Sequence, residues 1–185
     1  MQLILRCEVS AETYIANETQ RCVRSPLLCP HCGHSACLRA LGYYTRGVSA
    51  SSSGRILTIQ VRRFRCRRIG RTISLLPAFA HPYRLVGSAL IDSYFSGRRR
   101  GMEMQWWIPL LQRYWRQFEF WLPSLLIGLG TASSLSPPIH NYPGAWKVLR
   151  RRMGPVPRMT DYLVGTLGLT IFGRYRCHNP PTYER

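Results

Sequence analysis

With 185 residues the chain has room for one ordinary domain or two small modules, and 26 Lys+Arg against 8 Asp+Glu give it a formal net charge of +18. Lys147 is the only lysine, and Asp92 and Asp161 are the only aspartates, so no acidic cluster suggests a two-metal nuclease or transposase core and no carboxylate pair suggests a glycosidase. Lys147 lies between Trp146 and Val148, outside any G-x-x-x-x-G-K-[ST] phosphate loop, and a non-enzymatic binder of a polyanion is the reading that remains.

The chain is basic but not expected to be disordered, because 45% hydrophobic and 11% aromatic residues are enough for a modest core. The preference for Arg over Lys fits a GC-rich genome. It also fits a surface that grips phosphates and guanine edges bidentately. The apolar run at residues 1–4 stops at Arg6 and Glu8, short of a signal-peptide core. The run at 118–135 is broken by Glu119 and Pro123 and reads as buried core with a loop rather than a membrane span. Seven cysteines, an odd number, fit reduced thiols in a cytoplasmic bacterial protein, nucleoid-associated when bound, better than a disulfide framework.

In chain order, residues 1–28 read as an extended lead-in. Residues 29–75 follow the rhythm of a knuckle, a strand, a Ser/Gly loop at 47–54, a strand at 55–66 and a second knuckle. That second strand places Leu57, Ile59 and Val61 on one face and Thr58, Gln60, Arg62 and Phe64 on the other. A Pro-bounded connector at 76–83 leads to a helix at 85–95 and an Arg-rich turn at 97–101. A stronger helix at 109–122 is expected to end at Pro123, with Leu111, Tyr114, Trp115, Phe118 and Leu122 forming its apolar stripe. Residues 124–143 read as loop, 145–153 and 159–172 as helices, and 173–185 as a flexible tail. The expected fold class is α+β, with a zinc-ribbon-like module at 29–75 followed by a helical module at 76–172 whose 84–122 part is helix-turn-helix-like.

Cys29-Pro30-His31-Cys32-Gly33 has the spacing of a zinc knuckle, in which backbone amides point at the thiolates. Cys66, beyond the hairpin, opens the second knuckle, but Ile69 stands where the fourth Cys would be. Two alternatives follow. Structural zinc binds through Cys29, Cys32 and Cys66, with a fourth ligand from His31, His34, Cys37, Cys22 or Cys7. Otherwise the ribbon folds without metal, with Ile69 packed inside.

The runs CPHCG, GYYTR and IQVRRFRCRRIGRTISLLPAFAHPYR resemble an uncharacterised bacterial family of insertion-sequence-associated zinc-ribbon proteins, similar to the N-terminal DNA-binding part of transposases. The resemblance is good over 29–95 and loose over 96–125. It implies a basic strand before the third ligand, a Pro-Tyr step into a helix-turn-helix, and DNA binding near mobile elements. It sets Cys29, Cys32 and Cys66 at ligand positions and Ile69 at the position of the fourth. Arg113-Tyr114-Trp115-Arg116-Gln117-Phe118 also resembles transposase recognition helices.

The nucleic-acid-binding set expected from the sequence is Arg62, Arg63, Arg65, Arg67, Arg68 and Arg71 of the ribbon, Arg98, Arg99 and Arg100 of the turn, and Gln112, Arg113 and Arg116 of the helix. Arg150, Arg151 and Arg152 read as further phosphate contacts or a solvated turn. The expected function is duplex DNA binding as an accessory, end- or target-recognition or regulatory subunit of a mobile element, partnered by a transposase or other subunits and not by a membrane. Alternatives are an RNA-binding component of a ribonucleoprotein and a structural interaction subunit anchored by Trp106, Trp107, Trp115 and Trp121. His81 reads as a packed or capping residue, while His140 and His178 carry no signal.

Overall fold

Period-two alternation of apolar and polar residues over 56–66 sets a strand at the centre of the first half of the molecule, which is built around a sheet. In the computed structural model, residues 1–50, 54–98, 102–133 and 142–175 are described. Strands β1 (Gln2–Leu5), β2 (Leu38–Ser49), β3 (Ile56–Cys66) and β4 (Thr72–Pro77) form one sheet in the order β1-β4-β3-β2. β2, β3 and β4 are antiparallel neighbours, and β1 lies parallel to β4 with Leu3 beside Leu75. In β2 the pairing steps from Ala40–Phe64 to Gly42–Arg63, so exposed Leu41 is an extra residue, a bulge next to Gly42 at φ 105°.

The two faces of β3 are used at different places. Ile59 and Val61 pack with Val48, Leu76 and Phe79 under helix α1 (Ala11–Ala16), whose Ser10 cap accepts from the Thr13 N–H at 3.2 Å. Phe64 and Cys66, on the opposite face, pack with Ile73, Leu75, Cys29 and Cys37. The sheet thus carries a small apolar core on one side and the cysteine-rich end on the other.

Helices α2 (Ser88–Phe95), α3 (Ile108–Ser133), α4 (Tyr142–Met153) and α5 (Val156–Leu167) make the second half, followed by a short hairpin of β5 (Leu169–Thr170) and β6 (Gly173–Arg174). The chain is α+β. Phe95, Phe118 and Trp146 meet at the centre of the helical core, with Trp146 4.9 Å from Phe95 and 5.6 Å from Phe118, ring centre to ring centre. Trp146 is 1% exposed, and its Nε1 donates to Ser96 Oγ at 3.2 Å. Trp146→Ala is expected to cost about 3–5 kcal/mol, read as a lower denaturant midpoint at unchanged slope.

Four sequence expectations are corrected. The lead-in is built structure: β1, α1 and a 3-10 turn at Thr19–Cys22 occupy it. Helix α3 does not stop at Pro123, because its apolar stripe continues through buried Leu125 and Leu129 and packing outweighs the proline. The last helix starts earlier and ends at Leu167, where Gly168 at φ 61° caps it; Ile171 and Phe172 belong to the β5–β6 turn and are buried. The tail is not loose at its start, since Gly173 and Arg174 pair with β5 and Tyr175 Oη donates to Gln2 O at 3.0 Å; residues 176–185 lie outside the described residues. Between α2 and α3 the chain passes through a 3-10 turn at Met102–Trp107, a longer connection than the three or four residues of a helix-turn-helix. Among the described residues no helix is long and apolar enough to cross a membrane.

Candidate metal centre and basic surface

The first knuckle turns on two backbone hydrogen bonds: Gly33 N–H to Cys29 O at 2.8 Å and Cys29 N–H to His34 O at 3.0 Å. The second repeats them in register, Gly70 N–H to Cys66 O and Cys66 N–H to Arg71 O, both at 2.9 Å. Gly33 and Gly70 sit at φ 72° and 70°, the left-handed region each turn requires. Each knuckle then aims two amides at its leading sulfur, those of His31 and Cys32 at Cys29 and those of Arg68 and Ile69 at Cys66.

Cys37 completes the cluster. Ala36, at φ 54°, takes a left-handed conformation rare for alanine and swings the chain round, and the Arg67 N–H donates to Cys37 O at 2.8 Å. Cys32 Sγ lies 3.4 Å from Cys37 Sγ and 3.7 Å from Cys66 Sγ, and Cys37 Sγ lies 3.8 Å from Cys66 Sγ. The four sulfurs of Cys29, Cys32, Cys37 and Cys66 fall within 4.8 Å of one another. A tetrahedral ion bound at about 2.3 Å needs sulfur–sulfur edges of about 3.8 Å, so the donor set can hold a metal ion.

The electrostatics fit the same use. Burial, reinforced by the neighbouring thiols, pushes Cys37 up to about 12. Burial also pushes Cys66 upward, but the Ile69 and Arg68 amides and the Cys32 and Cys29 thiols outweigh it and hold Cys66 down at about 7. One sulfur is therefore set up to carry negative charge beside Cys29 and Cys37, whose thiols burial holds up and which need a cation before they can follow.

The fourth sulfur of the cluster thus comes from Cys37, and among the described residues no histidine and neither Cys7 nor Cys22 joins it. His31 Nε2 donates to Thr72 O at 3.3 Å and His34 Nδ1 to Cys32 O at 2.6 Å; Cys22 is exposed, and Cys7 lies in the α1 core. Ile69 is not packed inside: it is 45% exposed, and it is its backbone that serves the centre. Nothing in the C-x-x-C spacing singles out Cys37, because the turn at Ala36 brings it in.

The ribbon arginines divide by face. The Arg62 guanidinium lies over the Tyr43 ring, 4.6 Å from its centre, and 5.6 Å from that of Phe64, while Arg63 is half-buried on the opposite face. Arg65 Nε donates to Gly70 O at 3.1 Å, bracing the second knuckle. Arg67, Arg68 and Arg71 are exposed around that knuckle, as is Arg39, which pairs with Arg65 across the sheet. No acidic residue occurs in the sequence between Glu18 and Asp92.

The helical arginines are less uniform. Asp92 takes Arg150 in a two-pronged contact at 2.6 and 3.0 Å and Arg98 at 3.1 Å, so these two charges are partly neutralised within the fold. Arg99 and Arg100 lie outside the described residues. Gln112, Arg113 and Arg116 are exposed on one side of α3. Phe120, 87% exposed, falls on that side by helical spacing, and Trp106 just before α3 is 88% exposed. Trp107, Trp115 and Trp121 pack against the helical core instead.

His81 is packed, as its connector position suggests. It is buried, its Nε2 and Ser88 Oγ are 3.2 Å apart, and the Phe172 ring meets it edge-on. Burial, and then the Arg84 and Arg46 charges, drive its pKa down to about 3. The unfolded chain takes up that proton near pH 6.5. Stability from neutral His81 is therefore full above pH 6.5 and is lost as pH falls toward 3, at up to about 1.4 kcal/mol per pH unit. Denaturant unfolding at pH 7 and pH 5 is expected to differ by roughly 2 kcal/mol more in the wild type than in His81→Gln.

Residues 29–107 match the family described as Domain of unknown function (DUF6431). The matched span contains all four clustered cysteines and ends just before α3. No curated protein and no solved structure matches the chain.

Proposed function

We propose that the chain is a non-enzymatic duplex-DNA-binding protein built on a structural zinc ribbon, and that it serves a mobile genetic element as an accessory, recognition or regulatory subunit. The observation that carries the DNA reading is the bare cationic end of the ribbon. Arg39, Arg67, Arg68 and Arg71 are exposed around the second knuckle in a stretch of sequence that holds no carboxylate. A folded hairpin with that density of like charge is relieved by a polyanion. Zinc is the ion that suits a closed set of four thiolates, and its role there is to hold the two knuckles together.

In this reading the ribbon grips phosphates, and α2 with α3 act as a helix-turn-helix-like pair with an enlarged turn. Gln112, Arg113 and Arg116 on the exposed side of α3 would read base edges in the major groove. Structural interaction is a second reading, favoured by exposed Trp106, Phe120 and Ile127. Competition separates the two, with labelled duplex displaced by unlabelled duplex and by structured RNA. Displacement by duplex at lower concentration than by RNA is expected. Equal or better displacement by RNA assigns the surface to RNA, and absence of binding to either leaves the interaction-subunit reading.

A further inference from the structure

Away from the cysteines, Tyr83, Arg84, Gln117, Phe172 and Arg174 border a cavity of about 410 Å3, with no acidic residue among the described residues that line it. Arg84 is fixed there. Its guanidinium lies 4.5 Å from the Tyr114 ring centre and 4.9 Å from that of Phe172, and it donates to Gln117 Oε1 at 2.7 Å. Gln117 is held in turn by donating to Phe172 O at 2.9 Å, and Arg46 donates to Arg84 O at 2.8 Å. Aromatic faces and an amide position this cation, and no carboxylate among the described residues pairs with it. A guanidinium has five N–H donors, and Gln117 takes one. Such a preorganised fork is suited to an oxyanion.

Tyr83, at the edge of the same cavity, is the second observation. Its φ of 58° is in the left-handed region, a costly conformation for an aromatic residue, and the residue is 76% exposed. The strain places an aromatic ring next to a fixed cation. Together they match the two parts of a nucleotide, a phosphate and a planar base.

We propose that this cavity takes one unpaired nucleotide, its phosphate against Arg84 and Arg174 and its base on the Tyr83 ring. The inference rests on the nucleic-acid reading and deepens it. A base stacked within a duplex cannot offer its face to a ring, so the nucleotide comes from a single-stranded end or gap, or from the free pool. The volume lies within the range of small-ligand sites.

The test uses the full chain and four probes: a blunt duplex, the same duplex with a single-stranded 3′ overhang, free dAMP and inorganic phosphate. Tyr83→Gly removes the ring from a position whose backbone suits glycine, so the fold should be kept, and thermal unfolding checks it. Arg174→Ala removes an exposed charge from the cavity edge. The wild type should prefer the overhang. Tyr83→Gly should lower overhang affinity roughly 5- to 100-fold and leave the blunt duplex unchanged. Arg174→Ala should weaken the overhang more than the blunt duplex, and dAMP should compete better than phosphate. If dAMP binds and both variants weaken it while no DNA binds, the cavity keeps its ligand, drawn from the free pool, and the DNA reading falls. If duplex binds but both variants handle every probe as the wild type does, the cavity proposal is overturned and the DNA reading stands. Equal competition by phosphate and dAMP, or binding of no probe, overturns it as well.

Discussion

Cys37→Ser is expected to cut bound zinc from about one ion per chain to a small fraction of that, and to loosen the knuckles at 29–37 and 66–71. The effect is large because structural zinc supplies about 10–16 kcal/mol in small zinc-finger peptides, and buried Cys29 and Cys66 with half-buried Cys32 are left without their ion. The loss should stay local. The helical core and the α1 core share no residue with the cysteine cluster, so helical circular dichroism should survive while amide exchange at the knuckles rises steeply. Ile69→Cys in the Cys37→Ser background should restore metal. Position 69 holds in the second knuckle the register that Cys32 holds in the first, as the matching backbone hydrogen bonds require.

Arg67→Ala with Arg68→Ala is expected to weaken every duplex alike. If the protein neutralises about five to eight phosphates, log K falls against log salt with a slope of roughly −5 to −7, and removing two contacts makes it shallower by roughly 2. At 0.1 M salt that corresponds to a loss on the order of tens-fold. Gln112→Ala or Arg113→Ala should instead cost roughly 1–3 kcal/mol on a preferred site and little on random duplex. An unchanged salt slope in the Arg67/Arg68 double variant would remove the phosphate grip. A uniform loss from the helix variants would make the exposed side of α3 a solvated basic surface.

What the sequence made legible was local. Alternation along residues 55–66 placed Ile59 and Val61 opposite Phe64, and the structure buries the two sets in separate cores. Cys29, Cys32 and Cys66 were readable from knuckle spacing, and all three fall in the cluster. The parts that were not legible depend on distant partners. β1 has no alternation of its own and becomes a strand because β4, some seventy residues on in sequence, offers a parallel edge. Arg98 and Arg150 look alike in sequence to the arginines of the second knuckle, yet both meet Asp92, in one case from 58 positions away. Pro123 was a local stop signal overruled by burial of Leu125 and Leu129.

X-ray absorption at the zinc edge, on protein purified without added metal, tests the four-cysteine centre most directly. Stoichiometric zinc with four sulfur neighbours at about 2.3 Å is the expected result. A fully folded protein without metal, or a zinc shell containing nitrogen or only three sulfurs, would contradict a centre closed by Cys29, Cys32, Cys37 and Cys66.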